Sequence, residues 1–290
     1  MASGRIIKAI SGFYYVKSGD EIIECKSRGV FRKKKITPLV GDFVEFDQDE
    51  AYILEVKPRQ NSLIRPPVAN IDQAIIVSSA IMPDFNPLLL DRFLVLIESK
   101  EIKPIIFVTK EDLIPDAQRA DIINHLETYK KTGYTVELLT AKESEDLTHM
   151  HQYFSGNVSV IAGQSGVGKS SFLNAINPEL ALKTDDISMS LGRGKHTTRH
   201  VELVEAGNGL VADTPGFSSL NFDGIAAADL DECFPELRSR KHECKFRGCL
   251  HHKEPKCEVK LAVERGELSS FRYEHYISFL NEIKERKPRY

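Results

Sequence analysis

Between Gln73 and Asp213, apolar runs of strand length take turns with segments whose apolar residues recur at helical spacing, and this alternation restricts the fold more than any other feature. The runs are Gln73–Ala80, Pro104–Thr109, Thr135–Thr140, Asn157–Ala162 and Leu210–Asp213; helical spacing marks Leu88–Lys100, Asp116–Lys131 and Lys169–Ile176. Unbroken apolar strands are buried on both faces, so the pattern predicts an α/β fold with a parallel sheet covered by helices on each side. Ligands of such sheets lie beyond the carboxyl ends of the strands, so the residues just after each run carry the chemistry.

The flanking text has other rhythms. Residues 1–66 hold five short strand-like runs, Arg5–Ile10, Gly12–Gly19, Glu21–Gly29, Asp42–Gln48 and Ala51–Arg59, which predict a β-barrel of the OB-fold type, an architecture that often binds single-stranded nucleic acid. The loop Arg28–Lys35 carries five positive charges and one aromatic, Phe31, and reads either as a nucleic-acid contact or as a solvated charge run. Arg65-Pro66-Pro67 reads as a linker, residues 67–224 as the α/β domain, and residues 225–290 as a small helical module with helical text at Glu258–Gly266 and Phe271–Arg286. The overall charge of −3 conceals an asymmetry: 12 Lys and Arg face 9 Asp and Glu in residues 1–66, 13 face 21 in 67–224, and 14 face 12 in 225–290. Two mildly basic ends around an acidic middle permit nucleic-acid contact through the ends.

With 290 residues, 41% hydrophobic and 28% charged, the chain has the composition of a folded globular protein. It has no apolar stretch of membrane-spanning length and no signal-like N-terminus, so a cytoplasmic protein without membrane attachment is predicted. Five Cys, three of them between 244 and 257, point to metal rather than to a disulfide framework.

Gly163-Gln164-Ser165-Gly166-Val167-Gly168-Lys169-Ser170 fits G-x-x-x-x-G-K-[ST] between an apolar strand and a helix. Its backbone N–H groups would curve round phosphates, Lys169 would reach the β/γ oxygens, and the Ser170 hydroxyl would ligate Mg²⁺; Ser171 follows in the same first helical turn. Asp213-Thr-Pro-Gly216 ends another run, placing a carboxylate for Mg²⁺ through water and the Gly216 N–H for a γ-phosphate. Between them, Gly192–Arg199 is a polar, glycine-containing segment in which Thr197 or Thr198 would supply a hydroxyl to the ion. Thr109-Lys110-Glu111-Asp112 resembles the guanine motif [NT]-K-x-D, with Asp112 accepting from guanine N1–H and the 2-amino group and Lys110 covering the ring. Thr140-Ala141-Lys142 resembles the S-A-K loop whose backbone meets guanine O6.

These parts occur in the order base motif, base loop, phosphate loop, threonine segment, DTPG, whereas ordinary GTPases begin with the phosphate loop. The arrangement resembles the circularly permuted GTPases, and the barrel before it and the Cys/His module after it resemble the bacterial GTPases that depend on the small ribosomal subunit. That resemblance spans essentially the whole chain. It implies a late assembly or quality-control factor, taken here as monomeric, that contacts ribosomal RNA and hydrolyses GTP much faster when docked. The chain has Thr109 where that family more often has Asn, which predicts the loss of a tie between base loop and phosphate loop.

Phe217 follows DTPG where many GTPases have a water-orienting Gln, so another group must position water. His196 is the candidate, since the family is thought to use a His of that segment; with Thr198 and Lys169 it makes up the predicted catalytic set. Cys244, Cys249, His251 and Cys257 give three thiolates and one imidazole, a full tetrahedral set for one structural Zn²⁺, with His252 the neighbour most easily confused with His251. Cys25 and Cys233 have no companion and read as buried. A region this short is expected to build hardly any core of its own and to unfold without zinc. Two rival readings remain: a nucleotide-dependent RNA-binding scaffold with negligible hydrolysis, which Phe217 favours, and a P-loop ATPase or kinase, which Asp112 opposes.

Overall fold

Five strands close into a barrel at the N-terminus: β1 (Ala2–Ile10), β2 (Phe13–Ser18), β3 (Glu21–Ser27), β4 (Phe43–Asp47) and β5 (Tyr52–Val56), in the order β1-β2-β3-β5-β4 with β4 returning to β1. The computed structural model describes residues 1–33, 36–140, 150–177, 201–213 and 220–286. Alternate side chains fill the barrel, with Ile6, Val16, Cys25, Val44, Phe46 and Ile53 all at 0–1% exposure. Gly4 is needed where β1 crosses β2, since a Cβ there would stand 2.5 Å from Val16 Cγ1. The basic loop contains a short helix, α1 (Gly29–Lys33), and Phe31 is buried in the barrel core. The aromatic of that loop is therefore a packing residue, not one offered to a base. A small hairpin, β6 (Ser62–Ile64) with β7 (Pro67–Ala69), leads out of the barrel.

The second part is the alternating stretch: β8 (Gln73–Ser79), α2 (Pro87–Glu98), β9 (Lys103–Thr109), α3 (Asp116–Lys131), β10 (Thr135–Leu138), α4 (His151–Phe154), β11 (Val158–Ala162), α5 (Lys169–Ile176), β12 (Val201–Ala206) and β13 (Gly209–Asp213). Its strands lie in the order β10-β9-β8-β11-β13-β12. All neighbours pair in parallel except β12 and β13, a hairpin joined by Gly207 and Asn208, both at positive φ as such two-residue turns require. The sheet expected to be parallel throughout is thus mixed at this edge. The edge is not free: β12 pairs antiparallel with β1 of the barrel, making one continuous eleven-stranded sheet, and Lys8–Glu202 (2.8 Å) and Lys17–Glu205 (2.7 Å) flank the joint. α2 starts where the sequence predicts, with Asn86 accepting from Leu89 N at 2.9 Å and Pro87 in the first turn.

The C-terminal module holds α6 (Pro235–Arg238), α7 (Glu258–Glu264) and α8 (Ser270–Glu285). Contrary to expectation it has a substantial core. Phe222, Leu230, Phe234, Val259, Tyr276, Phe279 and Leu280 are buried together, and the cluster takes in Val95 of α2, so the module borrows a face of the α/β domain. At that seam Arg272 of α8 is 1% exposed. Its Nε and Nη2 donate to the two Glu236 oxygens at 2.7 and 3.0 Å, and its Nη1 donates to Asp91 of α2. His275 meets the other Asp91 oxygen at 2.6 Å, and the rings of Tyr129, Tyr134 and Phe234 surround the guanidinium. The two carboxylates hold Arg272 charged, well above its ordinary pKa, against the opposing effect of burial. A buried charge stripped of its partner is far costlier than the pair is valuable. Arg272→Leu, which strands Glu236 and leaves Asp91 with His275 alone, is expected to lower the unfolding free energy by about 3–5 kcal/mol, measured by urea denaturation.

Candidate functional site

The strand order reverses between β8 and β11: β9 and β10 continue on one side of β8, and the chain then returns to lay β11 on the other. A crevice opens beyond the carboxyl ends of strands at such a point. Ser79 lies opposite Thr109 and Ile76 opposite Ala162, so the residues after β9 and after β11 emerge at one end of the sheet. Those residues are Thr109–Asp112 and Gly163–Ser170.

Gly163 (φ +142°) starts the phosphate loop, and a Cβ there would lie 2.1 Å from the Val77 carbonyl oxygen of β8, so only glycine passes. Gly166 and Gly168 also have positive φ, Gln164 and Ser165 lie between, and Gly168 leads into α5. The Lys169 ammonium donates to the Gly163 and Gln164 carbonyls at 2.9 and 2.6 Å, closing the loop over itself, and burial lowers its pKa. Ser170 is buried in the first turn of α5, where its hydroxyl can face an ion bound at the loop, and Ser171 beside it is exposed.

The base motif is fastened to this loop. The Thr109 hydroxyl donates to the Val167 carbonyl at 2.7 Å, and Lys110 Nζ reaches the Gly166 carbonyl at 3.3 Å and also donates to the Met82 carbonyl. The tie predicted to be lost with Asn is therefore present, made by a hydroxyl instead of an amide. Lys110 adopts a left-handed backbone (φ +64°), and the turn Glu111–Leu113 that presents Asp112 is anchored by Glu111 N donating to the Leu139 carbonyl at 3.1 Å. Asp112 is exposed, and Thr140 is half-buried at the end of the next strand. Ala141, Lys142, His196, Thr197, Thr198, Gly216 and Phe217 lie outside the described residues, and of Asp213 only the backbone at the end of β13 is described.

The metal set comes together as the spacing predicts. Cys244, Cys249, His251 and Cys257 place one ligand atom each within 4.8 Å of one another. Zinc bound tetrahedrally by S and N has S···S and S···N edges of roughly 3.8 and 3.5 Å, given bond lengths of about 2.3 and 2.0–2.1 Å. The cluster has Cys244–Cys257 at 3.8 Å and His251 Nδ1 at 3.5 and 3.3 Å from Cys244 and Cys257. Nδ1 is thus the nitrogen that faces the sulfurs, while Nε2 faces Asp231 Oδ2 at 3.4 Å, a carboxylate that sequence spacing did not disclose. Lys241 in turn contacts Asp231 at 3.2 Å. Tyr273 and Tyr276 donate to the His251 and Leu250 carbonyls at 2.7 and 2.9 Å, fixing the ligand loop from α8. Burial pushes the Cys257 thiol up to about 12, so an ion must displace protons to bind. The donors present suit zinc. His252 donates its backbone N–H to Glu254 and takes no part in the cluster; Cys25 and Cys233 are buried as expected.

Thr109→Val leaves the Val167 carbonyl without its donor, at about 1–3 kcal/mol, and should weaken GTP binding by about 5- to 150-fold, whereas Thr109→Asn stays within about threefold; fluorescence titration measures both. Chelation should make residues 244–257 protease-sensitive and lower the melting temperature by more than about 5 °C, while the core shared with α2 keeps α8 folded.

A family model described as RsgA GTPase matches residues 56–223, and one described as RsgA N-terminal domain matches residues 3–53. The small ribosomal subunit biogenesis GTPase RsgA 2 of Oceanobacillus iheyensis is 62% identical, and RsgA of Bacillus subtilis 56%, each match covering the whole of both chains. Among solved structures, that of YloQ, described as a circularly permuted GTPase, is 51% identical with a TM-score of 0.85 over 100% of this chain and 97% of that one. That of YjeQ from Thermotoga maritima is 35% identical with a TM-score of 0.86 over 99% of each. Matched from end to end by such relatives, and over most of its length by the two models, the chain belongs to the RsgA GTPase family.

Proposed function

We propose that this GTPase hydrolyses GTP at the β8/β11 crevice while docked on the small ribosomal subunit during its late maturation. The observation that carries the reading is the fastening of Thr109 and Lys110 to the Val167 and Gly166 carbonyls, which brings a guanine-type motif and a phosphate loop to one crevice despite their inverted order. The named function of the full-length relatives supplies the partner. Asp112 selects guanine, with Thr140, Ala141 and Lys142 on the far side of the base. The loop Gly163–Gly168, with Lys169, Ser170 and Ser171, holds the phosphates. Mg²⁺, held by Ser170, by Thr197 or Thr198, and through water by Asp213, would neutralise charge that develops on the phosphates. Gly216 senses the γ-phosphate. His196 orients the attacking water, because Phe217 cannot.

The terminal domains grip ribosomal RNA. On the barrel, Arg5 lies over Phe43 at 4.3 Å and Lys26 over Phe13 at 5.1 Å, two separate cation–ring pairs of the kind that suits a nucleic-acid backbone and its bases. The zinc module offers a second basic contact, and two linked contacts bind far better than either alone. The chain works as a cytoplasmic monomer; among the described residues no helix is long and apolar enough to cross a membrane.

Turnover measured with small subunits, large subunits and neither should rise at least tenfold with small subunits alone. ATP in excess should not compete, and His196→Ala should remove the stimulated fraction with GTP affinity within a few-fold. Uniformly negligible turnover would favour the scaffold reading that Phe217 suggests.

A further inference from the structure

Four residues beyond Gly216 the chain re-enters the described structure at Leu220, and it is held at once. The Leu220 carbonyl accepts from Arg92 Nη1 of α2 at 3.2 Å. Phe222 is 2% exposed, and its ring meets that of Phe279 in α8 with centroids 4.9 Å apart. The Arg92 guanidinium lies over both rings, 4.6 Å from Phe222 and 4.9 Å from Phe279. Its two Nη atoms also take Glu282 of α8 in a bidentate pair, at 2.9 and 2.5 Å. From the C-terminal end of α8, Arg286 donates to the Phe222 and Ile225 carbonyls at 2.5 and 3.2 Å.

One guanidinium therefore joins three things: the helix it projects from, the exit of the DTPG stretch, and the main helix of the zinc module. Docking of the module does not depend on it, because the buried Arg272–Asp91–Glu236 cluster one residue away along α2 already fixes α8 there. A rim ion pair such as Arg92–Glu282, whose Glu282 side chain is 44% exposed, adds little stability by itself. What Arg92 does that the cluster does not is hold the backbone leaving DTPG. α2 is also coupled to the other end of the nucleotide crevice, since the turn that feeds it gives the Met82 carbonyl to Lys110.

We propose that Arg92 is a positioning residue for hydrolysis: it makes the exit of DTPG and α8 move together, so that docking of the zinc module on the small subunit acts on the γ-phosphate sensor. This rests on the docking reading above. In sequence, Phe217, Ser218 and Ser219 are all that separates Gly216 from the clamped Leu220.

The test uses the full, zinc-loaded chain with Arg92→Ala and Arg92→Lys. Arg92→Ala should keep labelled-GDP affinity and unstimulated turnover within twofold, and the small-subunit concentration for half-stimulation within threefold, while maximal stimulated turnover falls at least tenfold. Arg92→Lys should be intermediate, since an ammonium keeps the charge over the two rings but not the fork that serves Leu220 and Glu282 together. In hydrogen exchange, residues 270–285 should differ between a GTP analogue and GDP in the parent chain and not in Arg92→Ala. Stimulated turnover within twofold of the parent, or an α8 exchange difference that survives Arg92→Ala, overturns the proposal. So does a parallel loss of affinity, unstimulated turnover and melting temperature, which marks Arg92 as structural only. If small subunits fail to stimulate the parent, the docking reading falls, and the exchange comparison alone decides whether Arg92 links the nucleotide to α8.

Discussion

Parallel pairing of β8 with β9 on one side and β11 on the other is the constraint from which the rest follows. It aligns three strand ends, and the crevice beyond them receives whatever the sequence places there. Because the ladder is indifferent to which strand is synthesised first, a guanine motif 54 residues before the phosphate loop can meet it as closely as one that follows it. The contact is backbone-directed on one side: Thr109 and Lys110 reach carbonyls, not side chains, of the phosphate loop. That explains why a hydroxyl serves where an amide was expected. Any donor of suitable reach satisfies a carbonyl.

Permutation alters what the sheet's ends are attached to. DTPG and its exit lead straight into the zinc module, and α2 receives that exit through Arg92 and the module itself through Asp91. α2 is thus bound at its feeding turn to Lys110 and along its length to Leu220 and α8, so the Thr109–Asp112 motif, the chain that follows DTPG and the Cys/His module share one strut. The Cys/His cluster lies within that module, with Cys249 and Cys257 forming part of its buried core.

Much of this was legible in the text of the chain. Unbroken apolar runs located β8, β9 and β11 to within a residue or two, because strands buried on both faces carry apolar residues throughout, and α3 and α5 fell where apolar spacing put them, because helices buried on one face leave a periodic trace. The motif glycines and the four residues of the Cys/His cluster are local in sequence and were equally plain. β12 was missed because it alternates buried residues with more exposed ones instead of forming an unbroken apolar run, and Val201–Ala206 interleaves glutamates with its apolar residues. The Gly207-Asn208 turn was the available signal. The loop Arg28–Lys35 read only as a nucleic-acid contact or a solvated charge run, because its five cations hid one core residue, Phe31. No sequence pattern announces Arg272, whose partners Asp91 and Glu236 lie 181 and 36 residues away, or Asp231 behind His251. Long-range polar pairs leave no period to read.

The ladder between β1 and β12 gives the barrel a role beyond any ligand it binds. Were the first 66 residues removed, β12 would be left as a naked border with a row of unsatisfied amides and carbonyls, inviting strands from other molecules. The barrel covers that border where Lys8 and Ala9 pair with Glu202 and Val201, and so completes the sheet of the nucleotide-binding half.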